Sequence, residues 1–181
     1  EIVIVTREDL ILPIRELTKG CEKVKAVVAG GKSRQESVGK GLNALSKDVK
    51  LAAVHDGARP LITWQLIDCC IRAANTYGAA APAIPVKDTI KTVEGGIVVN
   101  TPDRSKLKAV QTPQVFDIDM LKGALLKVYQ DGAEVTDDCS AVERLGMKVK
   151  IVEGDEKNIK ITTPDDLARA AFILSEREVK K

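Results

Sequence analysis

The stretch His55-Asp56-Gly57-Ala58-Arg59-Pro60 sets an acid three residues ahead of an arginine. It closes an apolar run over residues 51–55, so both charges fall at the carboxyl end of a buried strand. There Asp56 could hold a metal, a ribose hydroxyl or a phosphate. An internal Asp56–Arg59 ion pair that shapes the loop explains the spacing equally well. His55 is expected to be structural, because neighbouring side chains of a strand point to opposite faces. Gly30-Gly31-Lys32-Ser33-Arg34 lies where a strand passes into a helix. Glycines admit a close ligand, and free amides at a helix start suit an anion or a base edge; an ordinary tight turn has the same pattern. Residues 101–104 and 108–114 read as irregular chain, where Arg104 could fork onto a phosphate or simply be solvated. Residues 158–162 set Lys160 amid strand-forming neighbours. A lysine there is costly unless paired or ligand-facing, or unless it snorkels from an edge strand.

These residues need a scaffold, and the hydrophobic pattern supplies one. Apolar, β-branched runs at 2–5, 24–29, 51–55 and 79–86 alternate with amphipathic helical stretches at 8–18, after Ser33, and at 64–75. Pro13 weakens the first helix. Ser33-Arg34-Gln35-Glu36 reads as a capping box, with the Ser33 hydroxyl and the Glu36 carboxylate each taking a free amide. The rhythm breaks at 88–100, where two β-rich runs flank Glu94-Gly95-Gly96 as a hairpin signal. A short extended piece at 112–116, helices at 119–129 and 138–145, and strand-like runs at 148–152 and 159–162 follow. Thr163-Pro164-Asp165-Asp166 opens the last helix: a threonine cap, proline at the first helical position and acids on the positive helix end. Repeated strand–helix units predict an α/β fold, a mostly parallel sheet in three layers. Ligands in such sheets bind beyond the carboxyl ends of the strands, where the residues above lie.

Composition narrows the partners. The 181 residues fit a single domain able to bury about two-thirds of its unfolded surface. Lysine and arginine total 28 against 26 acids, a net charge of +2, which excludes nucleic-acid binding by bulk charge. Aromatic residues at 3% argue against stacking platforms for single strands. No apolar run reaches the roughly 18 residues that span a bilayer. Cys21, Cys69, Cys70 and Cys139 form no C-x-x-C, and His55 is the one histidine, so a zinc site is not expected. Without a signal-peptide pattern, four reduced, mostly buried thiols and a cytoplasmic location are expected. The first residues run directly into a strand without an initiator methionine, as in a fragment of a longer chain.

Taken in order, the motifs resemble a known family. They are Gly-Gly-x-x-Arg-x-x-Ser-Val (30–38), Val-His-Asp-Gly-Ala-Arg-Pro (54–60), Pro-Val-Lys-Asp-Thr-Ile-Lys (85–91), Asp-Arg-Ser-Lys-Leu (103–107), Gln-Thr-Pro-Gln-Val-Phe (111–116), Thr-Asp-Asp (136–138) and Asn-Ile-Lys-Ile-Thr (158–162). Each is modest; seven in this order resemble the 2-C-methyl-D-erythritol 4-phosphate cytidylyltransferases of the non-mevalonate isoprenoid pathway over essentially the whole chain. The family's opening strand and its glycine-rich loop, which grips the CTP triphosphate, have no counterpart here. The resemblance therefore implies one Rossmann-like nucleotidyltransferase domain over residues 1–181, lacking that strand and loop and inactive without them. A β-arm at 88–100 would protrude for dimerisation.

The resemblance also implies roles. CTP and methylerythritol phosphate would give CDP-methylerythritol and pyrophosphate, with Mg²⁺ as cofactor. Gly31, Lys32 and Ser37 would meet the cytidine, although the family often has an acid where Lys32 stands. Asp56 and Gly57 would sit against the ribose, with Asp56 near the metal. Arg59, Thr89, Arg104, Thr112, Thr136 and Lys160 would line the acceptor pocket. Arg104 and Lys160 would orient the attacking phosphate, and Thr89 and Arg104 would serve the partner of a homodimer. Ribitol 5-phosphate cytidylyltransferase is the nearest alternative; Ala58 favours the methylerythritol enzyme, since a valine is expected in the rival. A non-catalytic fragment that binds the acceptor or dimerises is the alternative from another class.

Overall fold

The computed structural model describes residues 1–179. Strands β1 (Ile2–Thr6) and β2 (Val24–Ala29) pair in parallel, joined through a 3-10 turn and helix α1 (Ile11–Leu17). Pro13 falls in the first turn of α1, where backbone N–H groups have no intrahelical acceptor, so it starts the helix without breaking it. Helix α2 (Arg34–Asn43) follows, then β3 (Leu51–Val54), α3 (Trp64–Tyr77) and β4 (Ala79–Pro85). Gly78 ends α3 at φ 81°, a left-handed conformation that glycine adopts without strain.

The main sheet is built around β4. On one side lies β9 (Lys150–Glu153), parallel to it. On the other runs one antiparallel line of chain in two pieces, β7 (Lys108–Val110) against the end of β4 and β8 (Gln114–Asp117) against its start. The β8 piece also pairs with β3, antiparallel. Strands β3, β4 and β9 thus share a direction, as the βαβ rhythm predicts, and the reversed line between β3 and β4 makes the sheet mixed. This main sheet and the β1–β2 pair share no ladder: β1 is bonded to β2 and β3 to β8.

Alternation along these strands makes three layers. Ala79, Ala81 and Phe116 face α2, α4 (Ile118–Gln130) and α5 (Asp138–Glu143), meeting Leu42, Leu121, Ala124 and Val142. Ala80 and Val115 face the other way, against Leu66, Cys70 and Ala74 of α3. The alanine run in β4 is buried on both faces, which explains why it reads as continuous apolar sequence. Helix α6 (Pro164–Val179) docks Ala170 and Ile173 onto Leu61 and Ile159. Its start is held by Asp166, whose carboxylate accepts from the Thr162 and Thr163 amides at 2.9 and 2.8 Å. Those bonds draw its pKa down to about 2.

Four expectations are corrected. Residues 159–162 form no strand; they are irregular chain, because β9 ends at Glu153 and no ladder partner reaches them. The box at α2 is shifted: Ser33 Oγ accepts from Glu36 N, while Glu36 Oε2 accepts from the amide of Lys32 rather than Ser33. The hairpin is shorter than 88–100, with β5 (Thr92–Glu94) and β6 (Ile97–Asn100) its paired parts. Cys21 and Cys69 are exposed, and only Cys70 and Cys139 are buried; all four are free. No helix among the described residues is long and apolar enough to cross a membrane.

Leu121 is fully buried and Leu126 of the same helix is exposed. Leu121→Ala is expected to lower the unfolding free energy by about 2–5 kcal/mol, and Leu126→Ala to change it by less than about 0.5 kcal/mol. Urea titration of both variants checks this.

Candidate active site

The site forms where β3, the β7–β8 break and the irregular segment after β9 come together. The break itself is dictated by sequence. Pro82 sits inside β4, where its carbonyl accepts from Gln111 N at 2.8 Å. Its missing N–H faces the same side, so proline is tolerated because the opposing line is interrupted there. Thr112-Pro113 is a cis peptide at that interruption. The turn frees Thr112 to reach β3: its Oγ1 accepts from Asp56 N at 3.1 Å and stands 3.1 Å from His55 Nδ1. The His55 Nε2 lies 3.1 Å from the Arg59 carbonyl. A neutral ring with its proton on Nε2 satisfies all three contacts. His55 therefore braces the loop, as the sequence predicts.

Asp56 is the electrostatic centre. Its Oδ2 lies 2.9 Å from Lys160 Nζ and 4.0 Å from Arg59 Nε. Burial pushes its carboxyl pKa up, but Lys160, Arg34 and Arg59 together outweigh this and hold it below the ordinary value. Arg59 donates to the Asn158 carbonyl at 2.8 Å, and its Nε is buried with no hydrogen-bond partner. Burial lowers its pKa, with Asp56 pulling the other way. The Ile161 amide donates to the Ala58 carbonyl, lashing the Lys160 segment to the Asp56 loop. The ion-pair reading of the 56–59 spacing thus holds in part: Asp56 and Arg59 are near one another, but the closer cation is Lys160.

Arg34, at the first position of α2, donates to Asp138 Oδ2 at 2.7 Å. Asp138 is 1% exposed, and its Oδ1 has no partner. Burial pushes its carboxyl up while Arg34 pulls it back. Asp138 is presented by Gln114, whose Oε1 accepts from Asp138 N and Cys139 N and whose Nε2 donates to Asp137. Asp137 and Ser140 close a reciprocal cap on α5. Thr136 is exposed immediately before that cap. In the turn before α2, Gly31 N donates to Ser37 Oγ, and a Cβ at Gly31 would overlap the Glu36 side chain. Lys32 and Gly57 are exposed.

The structure therefore gathers Asp56, Arg59, Thr112 and Lys160 directly. Thr89 and Arg104 lie elsewhere. Thr89 is exposed on the approach to the hairpin, and Arg104 donates to the Lys87 carbonyl beside an open groove of about 630 Å³ that Lys108 also lines. No hydrogen bond or ion pair among the described residues joins either to Asp56. Sequence reasoning missed Gln111, Gln114, Asp138 and Asn158 as site-building groups. All four lie inside the motifs, but nothing in the motif strings marks them as buried.

The strand ends thus bring one carboxylate among three cations, a charge pattern suited to a phosphate-bearing ligand. Comparison with known proteins makes the class a nucleotidyltransferase. The family model described as IspD, 2-C-methyl-D-erythritol 4-phosphate cytidylyltransferase, matches residues 1–176, and the chain belongs to that family. It is 51% identical over 149 residues to the enzyme of that name from Caldanaerobacter subterraneus, covering 82% of this chain and 66% of that one. Against the Halalkalibacterium halodurans relative it is 47% identical over 179 residues, covering 98% and 78%. The chain thus spans about two-thirds to three-quarters of the length of these relatives. The crystal structure of 4-diphosphocytidyl-2C-methyl-D-erythritol synthase from Anaerococcus prevotii matches with TM-score 0.89 and 33% identity, over 97% of this chain and 81% of that one. The family assignment and these folds agree with the Rossmann-like reading of the sequence.

Arg34→Met is expected to destabilise the protein more at pH 8 than at pH 4. Burial raises the folded pKa of Asp138, and removing Arg34 raises it further. A raised carboxyl is stable while protonated, and that stability is lost as pH rises through the folded value. Chemical denaturation of the variant and wild type at both pH values checks the sign.

Proposed function

We propose that the protein transfers a cytidylyl group from CTP to 2-C-methyl-D-erythritol 4-phosphate. The observation that carries this is the Asp56–Lys160–Arg59 cluster, held by the Thr112 turn in a chain of this family. An oxygen of the acceptor phosphate attacks the α-phosphorus of CTP. The bond from that phosphorus to its bridging oxygen breaks, and pyrophosphate leaves with the electron pair. The attacking phosphate is already ionised near neutral pH, so no general base is required. What remains for the protein is positioning and stabilisation of negative charge. Lys160 and Arg59 bind and orient the acceptor phosphate, with Thr112 and Thr136 completing that pocket. Gly31, Lys32 and Ser37 take the cytidine, and Asp56 with Gly57 meets the ribose.

Asp56 also suits Mg²⁺. Among the described residues no three histidine, cysteine or acidic side chains gather. A single carboxylate fits this ion, which commonly binds through one or two carboxylates together with substrate phosphates. When bound it neutralises triphosphate charge.

Arg104 and Thr89 belong to the same reading through a dimer. Ile97, Val98 and Val99 of the hairpin are all more than half exposed. A lone two-stranded arm is marginal in water and gains by packing on a second copy. Arg104 and Thr89 then serve the partner's acceptor pocket. A cytoplasmic location completes the proposal, supported by four free thiols.

Pyrophosphate release from CTP, Mg²⁺ and methylerythritol phosphate by the whole protein tests the activity, with ribitol 5-phosphate as competing acceptor. Preference for ribitol 5-phosphate would overturn the acceptor assignment. Lys160→Ala and Arg104→Ala are each expected to cut turnover about 10²-fold or more while weakening CTP binding far less. Separately, light scattering at micromolar concentration should give a dimer, and a monomer with the hairpin intact would refute the arm's role.

A further inference from the structure

Three segments of the site arrive from distant parts of the chain, and one fully buried residue bonds two of them, one through its side chain and one through its main chain. Asn158 is 0% exposed. Its Nδ2 donates to the Thr112 carbonyl at 2.9 Å, which fixes the turn whose hydroxyl holds the Asp56 amide. Its own carbonyl accepts from Arg59 at 2.8 Å. Two residues further on comes Lys160, bonded to Asp56. Gln111 clamps the same segment from behind: its Nε2 donates to the Asp155 carbonyl at 2.8 Å, and its Oε1 accepts from the Asp155 amide at 3.2 Å. A Cβ on Gly154 would come within 2.7 Å of that oxygen and 3.0 Å of the Ala83 backbone, so the clamp is closely fitted.

We infer that Asn158 is a positioning residue that sets the spacing of Arg59 and Lys160 and thereby fixes the geometry of the acceptor-phosphate pocket. A loop without secondary structure has no ladder to hold its cations, and two cations that must converge on one phosphate repel each other when they approach. The buried Asn158 side-chain amide, bonded to the Thr112 carbonyl, holds in place the main-chain carbonyl that Arg59 grips, which opposes that repulsion, and Asp56 neutralises part of it. On the proposed nucleotide side, Gly31, Lys32 and Ser37 make no hydrogen bond to Asn158, and Asp56 is reached only at one remove, through the Thr112 hydroxyl. The effect of losing Asn158 therefore falls mainly on the acceptor and only weakly on CTP. This rests on the acceptor role proposed for Arg59 and Lys160.

The test uses the whole protein with Asn158→Ala and Asn158→Ser. Loss of one buried donor is expected to raise the KM for methylerythritol phosphate by about tenfold or more, with the KM for CTP changed less than about twofold. A purely structural role would instead lower the melting temperature and leave both KM values alone, or move them together. Either result overturns the inference. A second measurement covers variants that do not fold. In the wild type, inorganic phosphate should shift the Asn158 side-chain amide resonances in NMR, and CTP alone should not. Resonances indifferent to phosphate would also refute the inference. That arm does not require turnover, so it separates failure of the positioning role from failure of the proposed reaction, which the wild-type pyrophosphate assay reads by itself.

Discussion

The site depends on an interruption in one line of sheet. Residues 108–117 run antiparallel to β4, but the ladder stops between Val110 and Gln114. At that gap Pro82 needs no acceptor, Gln111 turns its side chain onto the segment after β9, and Thr112 turns toward β3. An unbroken strand would have spent these backbone and side-chain groups on pairing. Broken, it becomes a buried polar junction to which three separate loops are tied. Each tie is an amide or hydroxyl contact at a buried or half-buried position, where an unmade bond is costly.

Electrostatics follow from the same geometry. Asp56 is partly buried, and isolation alone would favour its neutral form. It stays charged because Lys160, Arg34 and Arg59 surround it. Those cations are in turn kept close by a carboxylate that a phosphate ligand could complement or displace. Asp138 plays the matching part for Arg34 on one face of the sheet, linking the start of α2 to the start of α5.

Much of this was legible in the sequence. The strand and helix order, the hairpin and the cap at Ser33 follow from periodicity and local signals, with boundaries shifted by a few residues; the nearness of Arg59, Thr112 and Lys160 follows from the family resemblance, and the Thr163 hydroxyl, expected to cap α6, instead donates to Asp166. Periodicity works because burial on a strand or helix face repeats at a fixed spacing. The segment at 159–162 misled because Ile159 and Ile161 look like strand residues. They are apolar for a different reason: Ile159 is buried against α6, and Ile161 packs beside it.

What the sequence by itself determined is therefore the class of fold, the family and which charged residues lie at strand ends. Tertiary structure decided how they are held. It reversed one line of the sheet between β3 and β4 and gave Asp56 to Lys160 more closely than to Arg59. It also made Gln111, Gln114 and Asn158 into buried fasteners and left Arg104 beside the arm. The physical reason is range. Local pattern reports on neighbours within a turn or a strand, whereas Asn158 and Thr112, or Arg34 and Asp138, meet across 46 and 104 residues of chain. Only the packed layers bring such pairs within hydrogen-bond distance.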